Sequence, residues 1–155
     1  MNRRDTVDIL LAHHIKPSVQ RMAIMDYLMA HCTHPTVEEI YSALAPTMPT
    51  LSKTTVYNTL KLLTDQGAVR MLSIDERFTC YDALTEPHAH FLCRKCGQVY
   101  DVPLPHGLME EAPINPEGHD VEEIHYYYKG VCKQCQLADC STYTPAQTEV
   151  TKKTL

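Results

Sequence analysis

Two short cysteine pairs carry the strongest chemical signal in this sequence: Cys93-Arg94-Lys95-Cys96-Gly97 and Cys132-Lys133-Gln134-Cys135. Thiolates at this spacing reach the same face of a tight turn, and two such turns complete a tetrahedral Zn²⁺ shell with no open position. The flanking Arg94, Lys95 and Lys133 lower the thiol pKa, and Gly97 permits the turn. A redox-active pair or a disulfide competes with this reading. The repetition of the motif favours a structural Zn²⁺, as does an expected strand–knuckle–strand setting with no helix after the pair. A harder donor set lies nearby. His88-Ala89-His90 puts two imidazoles on one face of a strand, with Asp82 before it, Asp101 on the next strand and His34 far upstream. Nitrogen and carboxylate donors without thiolate suit Fe²⁺ or Mn²⁺ as well as Zn²⁺. Only the His-x-His pair signals metal by itself. His34 and Asp82 read equally as loop residues, and Asp101 as a surface charge.

The elements that must position these groups are legible in outline. Pro17-Ser18 leads into an amphipathic helix over Val19–Ala30. Thr36 and Glu39 form a capping box for a second helix, which Pro46 and Pro49 stop. Ser52 caps a third helix from Lys53 to Gln66, closed by Gly67 in a left-handed conformation. Val56, Leu60 and Leu63 form its buried seam, leaving Thr54, Thr55, Tyr57, Asn58 and Lys61 outward. The period then changes: Ala68–Ile74, a turn at Asp75-Glu76 and Arg77–Tyr81 predict a β-hairpin. Three helices and a hairpin make a winged helix-turn-helix, whose third helix would enter a DNA major groove. A polar helix face on a small domain is the plain alternative. Further strands are expected over Ala89–Leu92, Gln98–Val102 and Val121–Lys129, with a short helix at Leu108–Glu111.

Composition narrows the field. The 155 residues are 44% hydrophobic and 21% charged, as in a folded protein, and no run is long enough for a membrane span. The N-terminal apolar patch, Val7–Ala12, is interrupted by acid and too short for a secretory signal, which predicts a cytoplasmic protein. Seven Cys and nine His exceed what packing needs, whereas aromatic residues are only 7%. Small aliphatic cores in a reducing compartment are more often stapled by metal than by disulfides. The net charge of −5 is concentrated in residues 86–155, and Thr47–Leu63 holds two lysines and no acid. A DNA surface needs only such a local stripe.

The segments His34-Pro35-Thr36-Val37-Glu38-Glu39-Ile40-Tyr41, Ser52–Leu60 and His88–Gly97 resemble the signatures of the ferric uptake regulator (Fur) family, in family order and spacing over roughly residues 10–136. The resemblance implies an α+β protein. It would have an N-terminal winged helix-turn-helix domain (1–82), a hinge (83–87), a C-terminal α/β dimerisation and metal-binding domain with structural zinc (88–140), and a tail (141–155). It implies a homodimeric, metal-dependent repressor on a pseudo-palindromic double-stranded DNA operator. Cys93, Cys96, Cys132 and Cys135 match the structural Zn²⁺ ligands, and His34, Asp82, His88, His90 and Asp101 the regulatory Fe²⁺ or Mn²⁺ ligands. Lys16, Gln20 and Arg21 match a basic segment at the first long helix. Ser52, Thr54, Thr55, Tyr57, Asn58 and Lys61 are the candidate DNA contacts on or beside the third helix.

Asp at positions 82 and 101 resembles the peroxide-sensing, PerR-like branch. There, Fe²⁺-dependent reaction with H₂O₂ would convert His34 or His88 to 2-oxo-histidine and release DNA. Pro87, Ala89 and Ile124 depart from a further family metal site, which is therefore expected to be absent. Cys32, Cys80 and Cys140 have no assigned role, and buried cysteines are commonly inert. Three other functions compete. One is an iron- or manganese-responsive repressor without peroxide chemistry. Another is a zinc-dependent enzyme using Glu122, Glu123 or His119 as base, against which stands the lack of an H-E-x-x-H helix. The last is a thiol redox protein.

Overall fold

The computed structural model describes residues 3–31, 33–84, 86–104, 116–121 and 123–137. The expected helix at Leu108–Glu111, the tail from residue 141, and Cys32 and Cys140 lie outside them. Four helices come first: α1 Arg3–Ala12, α2 Val19–Ala30, α3 Val37–Leu44 and α4 Lys53–Asp65. The sequence predicts three, starting at Val19, and assigns no helix to the apolar patch Val7–Ala12. Thr6 and Leu10, four residues apart, are both buried, and the Thr6 hydroxyl donates to the Asp26 carboxylate on α2. One buried stripe and one buried polar tie thus hold α1 against α2.

The helix starts follow the capping chemistry read from sequence. Ser18 and Ser52 accept the backbone N–H groups of Arg21 and Thr55 at 3.3 and 3.0 Å. Thr36 and Glu39 satisfy each other's backbone donors. Gly67 ends the α4 segment at φ +70°, where a side chain would be strained. The core of this part is aliphatic, with Leu10, Ile24, Ile40, Val56, Leu60 and Leu63 fully buried.

Strands β1 Arg70–Asp75 and β2 Phe78–Asp82 form the expected antiparallel hairpin, with its turn at Glu76-Arg77. Asp75 holds that turn by accepting the Arg77 backbone N–H at 2.9 Å and its guanidinium at 2.6 Å. A second sheet has the order β4–β3–β5, where β3 is Ala89–Cys93, β4 Val99–Val102 and β5 Tyr127–Gly130. β4 is antiparallel to β3 and β5 parallel to it. The expected strand from Val121 is therefore a strand only from Tyr127. β3 supplies five residues, with His90 opposite Tyr127, so the described residues just before Tyr126 have no ladder partner. A single-turn 3₁₀ segment at Pro116–Gly118 precedes them, and a short helix α5, Lys133–Leu137, follows. The small core of this part contains Cys93, Cys132 and Cys135, packed with Phe91, Tyr100 and Val131.

Candidate functional site

The two cysteine pairs converge. The four Sγ atoms lie within 4.8 Å of one another, with Cys96 and Cys132 at 3.9 Å. Four sulfurs around one Zn²⁺ at ~2.3 Å would stand about 3.8 Å apart, whereas a disulfide needs about 2.05 Å. The first pair sits in the expected strand–knuckle–strand, between β3 and β4, with Gly97 at φ +75°. The second corrects the expectation, for it opens helix α5. Cys132 occupies the place of a helix cap, its sulfur accepting the Cys135 N–H at 3.4 Å, and Cys93 accepts the Cys132 N–H at 3.2 Å.

Burial works to raise the Cys93 thiol, but backbone N–H groups outweigh it and bring it down to about 6. Cys132 is lowered as well, first by the Cys135 N–H. Cys135 is pushed up to about 12, chiefly by its hydrogen bond to Cys132. Thiols packed this closely cannot all ionise without a cation among them.

The second cluster is built from four separate stretches of chain. His34 lies before α3 at φ +52°, a conformation histidine adopts more readily than most residues. The Tyr81 N–H donates to the Pro35 carbonyl at 3.1 Å, which ties this loop to β2. Asp82 ends β2, His88 and His90 flank the start of β3, and Asp101 on β4 stands directly opposite His90. One ligand atom from each of the five residues falls within a common 4.8 Å.

The contacts inside this cluster are those of donors facing a common centre. His88 Nε2 is 2.9 Å from His90 Nε2, 3.1 Å from Asp82 Oδ2 and 3.2 Å from Asp101 Oδ1. His34 Nε2 stands 2.7 Å from Asp101 Oδ1 without hydrogen-bond alignment. Both His34 nitrogens and Asp82 Oδ2 are buried with no hydrogen-bond partner among the described residues. A buried polar atom left unpaired costs about 1–3 kcal/mol, and a cation held among them removes that cost.

Outer partners fix the orientation of the ligands. His88 Nδ1–H donates to the Glu86 carbonyl at 2.7 Å, leaving the Nε2 lone pair inward. Asp82 Oδ1 accepts the Leu84 N–H at 2.8 Å, leaving Oδ2 inward. Burial works to raise the Asp82 carboxyl, but His90, the Leu84 N–H, His34 and His88 together hold it below the ordinary range. These partners are backbone groups of residues 84 and 86, which side-chain identity could not reveal. Cys80, two residues before Asp82, is buried, and burial first, then Glu39 and Asp75, push its thiol up to about 11.

The candidate nucleic-acid face is divided. Asn58 and Thr55 share a groove of about 370 Å³ with Lys16, Gln20 and Arg21. Thr54, Tyr57 and Lys61 lie outside that groove and are exposed. Several of these groups are already engaged. Ser52 and the Thr55 hydroxyl bond each other at 2.8 Å, Lys61 pairs with Asp65 at 2.9 Å, and the Arg21 guanidinium donates to the Lys16 carbonyl at 2.7 Å.

A profile of the ferric uptake regulator family matches residues 12–128. The peroxide-responsive repressor PerR of Staphylococcus aureus (strain Mu50) is 37% identical over 124 residues, covering 79% of this chain and 83% of the relative. Among solved structures, the Helicobacter pylori ferric uptake regulator Fur, described as having three functional metal-binding sites, superposes with TM-score 0.70. It is 19% identical, covering 90% of this chain and 97% of that one. The Pseudomonas aeruginosa ferric uptake regulator with manganese gives TM-score 0.66 at 20% identity, covering 86% and 99%. At those identities the two structures speak for the fold alone. With the profile spanning most of its length and a relative above 30% identity over four-fifths of each chain, this protein belongs to the ferric uptake regulator family of metal-responsive transcriptional regulators.

Proposed function

We propose that this chain is a homodimeric DNA-binding repressor whose grip on its operator depends on a divalent ion held by His34, Asp82, His88, His90 and Asp101, and that it senses hydrogen peroxide. The observation that carries the proposal is the origin of those five residues. His34 and Asp82 belong to the helices and hairpin, whereas His88, His90 and Asp101 belong to the three-stranded sheet, yet their ligand atoms share one 4.8 Å cluster. Joint ligation ties the two parts across residues 83–87 and sets the spacing of paired α4 helices to successive major grooves, about one turn apart. Ordering that joint before DNA arrives makes metal and operator favour each other, by ~1–3 kcal/mol per site.

Cys93, Cys96, Cys132 and Cys135 would hold a structural Zn²⁺, replacing the apolar bulk that the small sheet core lacks. Lys16 and Arg21 would contact phosphates, and Asn58 a base edge.

The peroxide reading rests on the S. aureus PerR relative at 37% identity and on the donor set, which has two carboxylates, three imidazoles and no thiolate. Fe²⁺ held by such a set would supply the redox chemistry that activates H₂O₂, with the net two electrons drawn from the oxidised ring. The chain's own contribution is to hold His34 and His88 against the reacting centre, so that the oxidised carbon belongs to a ligand ring. Loss of a ligand then unties the two parts.

Operator gel shifts with Mn²⁺, with Fe²⁺, and with Fe²⁺ followed by dilute peroxide test the reading. Retention with both metals and release only in the third lane is expected, together with one added oxygen on the His34 or His88 peptide. Retention in all three lanes would identify a repressor that reports metal alone. Equal binding without metal would refute the metal clamp.

A further inference from the structure

Next to the five-ligand cluster a cavity of about 130 Å³ runs from the surface to two of the ligands. Its floor is His34 and Asp82, only 4% and 7% exposed, and its walls include the buried Leu28 and Tyr81. Its rim carries the exposed His31 and Leu84, the latter 46% exposed. Behind that floor lie Asp82 Oδ2 and both His34 nitrogens, buried and without hydrogen-bond partners among the described residues. The most exposed ligand side chain is that of Asp101, at 33%.

We infer that this cavity is the entry route of the oxidant to the metal centre and that Leu84 and His31 at its rim set which oxidants enter. The inference rests on the peroxide-sensing reading above.

Two properties of the passage select its occupant. A cavity of ~150 Å³ holds a benzene ring and little more, so one of this size takes a few water-sized molecules but no branched or aromatic hydroperoxide as a whole. Apolar walls penalise an ion. A small neutral oxidant meets both conditions. Hydrogen peroxide has that chemistry. In the net step its O–O bond breaks, and one oxygen forms a bond to an imidazole carbon of His34, whose hydrogen moves to nitrogen. The other oxygen leaves as water, and the two electrons lost by the ring are those gained by the peroxide. A route past Asp101 would be indifferent to the size of Leu84.

The experiment uses the full-length, zinc-replete protein loaded anaerobically with Fe²⁺ and exposed to H₂O₂ or to cumene hydroperoxide at equal concentration, with oxygen on the His34 peptide followed by mass spectrometry. The parent protein is expected to react at least tenfold faster with H₂O₂. Leu84→Ala should bring the two oxidants within about threefold, and Leu84→Trp should slow H₂O₂ at least fivefold. A second readout needs no oxidation. Water-proton relaxivity of the Mn²⁺-loaded protein should fall by half or more in Leu84→Trp, because the substitution keeps the Leu84 N–H on Asp82 but fills the passage. Should Leu84→Trp lose Mn²⁺, His31→Phe narrows the same rim from the other side and carries both readouts. Parental oxidation rate and parental relaxivity in the narrowed variant would overturn the inference. So would cumene hydroperoxide matching H₂O₂ in the parent. If H₂O₂ adds no oxygen to His34 or His88 in the parent, the peroxide reading fails instead, and the relaxivity still decides whether solvent enters by this route.

Discussion

Asp82→Asn separates the role of Asp82 as a ligand from its role as a structural residue. The carboxylate does two things at once: Oδ1 accepts the Leu84 N–H at 2.8 Å, and Oδ2 faces the cluster without a hydrogen-bond partner. Asparagine keeps the carbonyl acceptor for Leu84 and removes only the charge. The metal-free fold should therefore persist with a modest loss of stability, because the groups that hold the Asp82 carboxyl below its ordinary range favour its charge in the folded state. Divalent-ion affinity should fall steeply. Removing one partner of a buried ion pair costs about 3–5 kcal/mol, or roughly two to almost four decades in Kd.

Isothermal titration of the zinc-replete protein with Mn²⁺ gives the affinity, and thermal melts with and without Mn²⁺ separate the effects on the metal-free and metal-loaded states. The parent should gain about 2.7 kcal/mol at an Mn²⁺ concentration 100-fold above its Kd, and the variant almost nothing at that concentration. An Mn²⁺ affinity within about threefold of the parent would refute Asp82 as a ligand. A variant already unfolded without metal would refute the claim that Oδ1 alone carries its structural role. Asp101→Asn, at a position one-third exposed, should lose less affinity, because water replaces part of the lost interaction.

Further outcomes follow from other parts of the molecule. Cys135→Ser should abolish stoichiometric zinc and melt the three-stranded sheet while leaving the helical part's far-UV signal, because Cys93, Cys132 and Cys135 are the buried residues of that small core; retention of zinc through chelation in the variant would refute the four-sulfur site. Lys16→Ala should weaken binding to all duplexes alike and lower the salt-dependence slope by about 1, whereas Asn58→Ala should cost ~1–3 kcal/mol at one base pair only; fluorescence anisotropy against altered operators distinguishes them. The Cys80 thiol is raised from 9.0 to about 11, so its contribution to stability is full below pH 9 and is lost as pH rises through 11. Urea unfolding across that interval should show a decline that Cys80→Val removes; an identical decline in the variant would assign it to other groups.

How much of this was legible in the sequence can be seen at particular residues. Side-chain identity and short spacing determined the helix caps at Thr36 and Ser52, the left-handed turns at Gly67 and Gly97, the hairpin, the two cysteine knuckles and the imidazole pair at 88 and 90. In each of these the interacting atoms are separated by a few residues, so the local backbone alone sets their distance. Helix α1 escaped the reading because its evidence is the burial of Thr6 and Leu10 against α2, a long-range fact. The over-long strand from Val121 has the same origin: its β-branched and tyrosine residues suit a strand, but whether they pair depends on the length of β3.

The five-ligand cluster lies at the far end of this scale. His34, Asp82 and Asp101 are ordinary residues until the Tyr81–Pro35 hydrogen bond, the end of β2 and the His90–Asp101 register bring them to one point. Resemblance to known motifs could nominate them, but periodicity could not. Which ligand atoms turn inward is settled by the Glu86 carbonyl and the Leu84 N–H, main-chain groups that do not distinguish one residue type from another, proline's missing N–H apart. The sequence by itself determined what donors are available and what each short segment does. The tertiary structure alone decided which donors meet, because that distance is a sum over the whole packed chain.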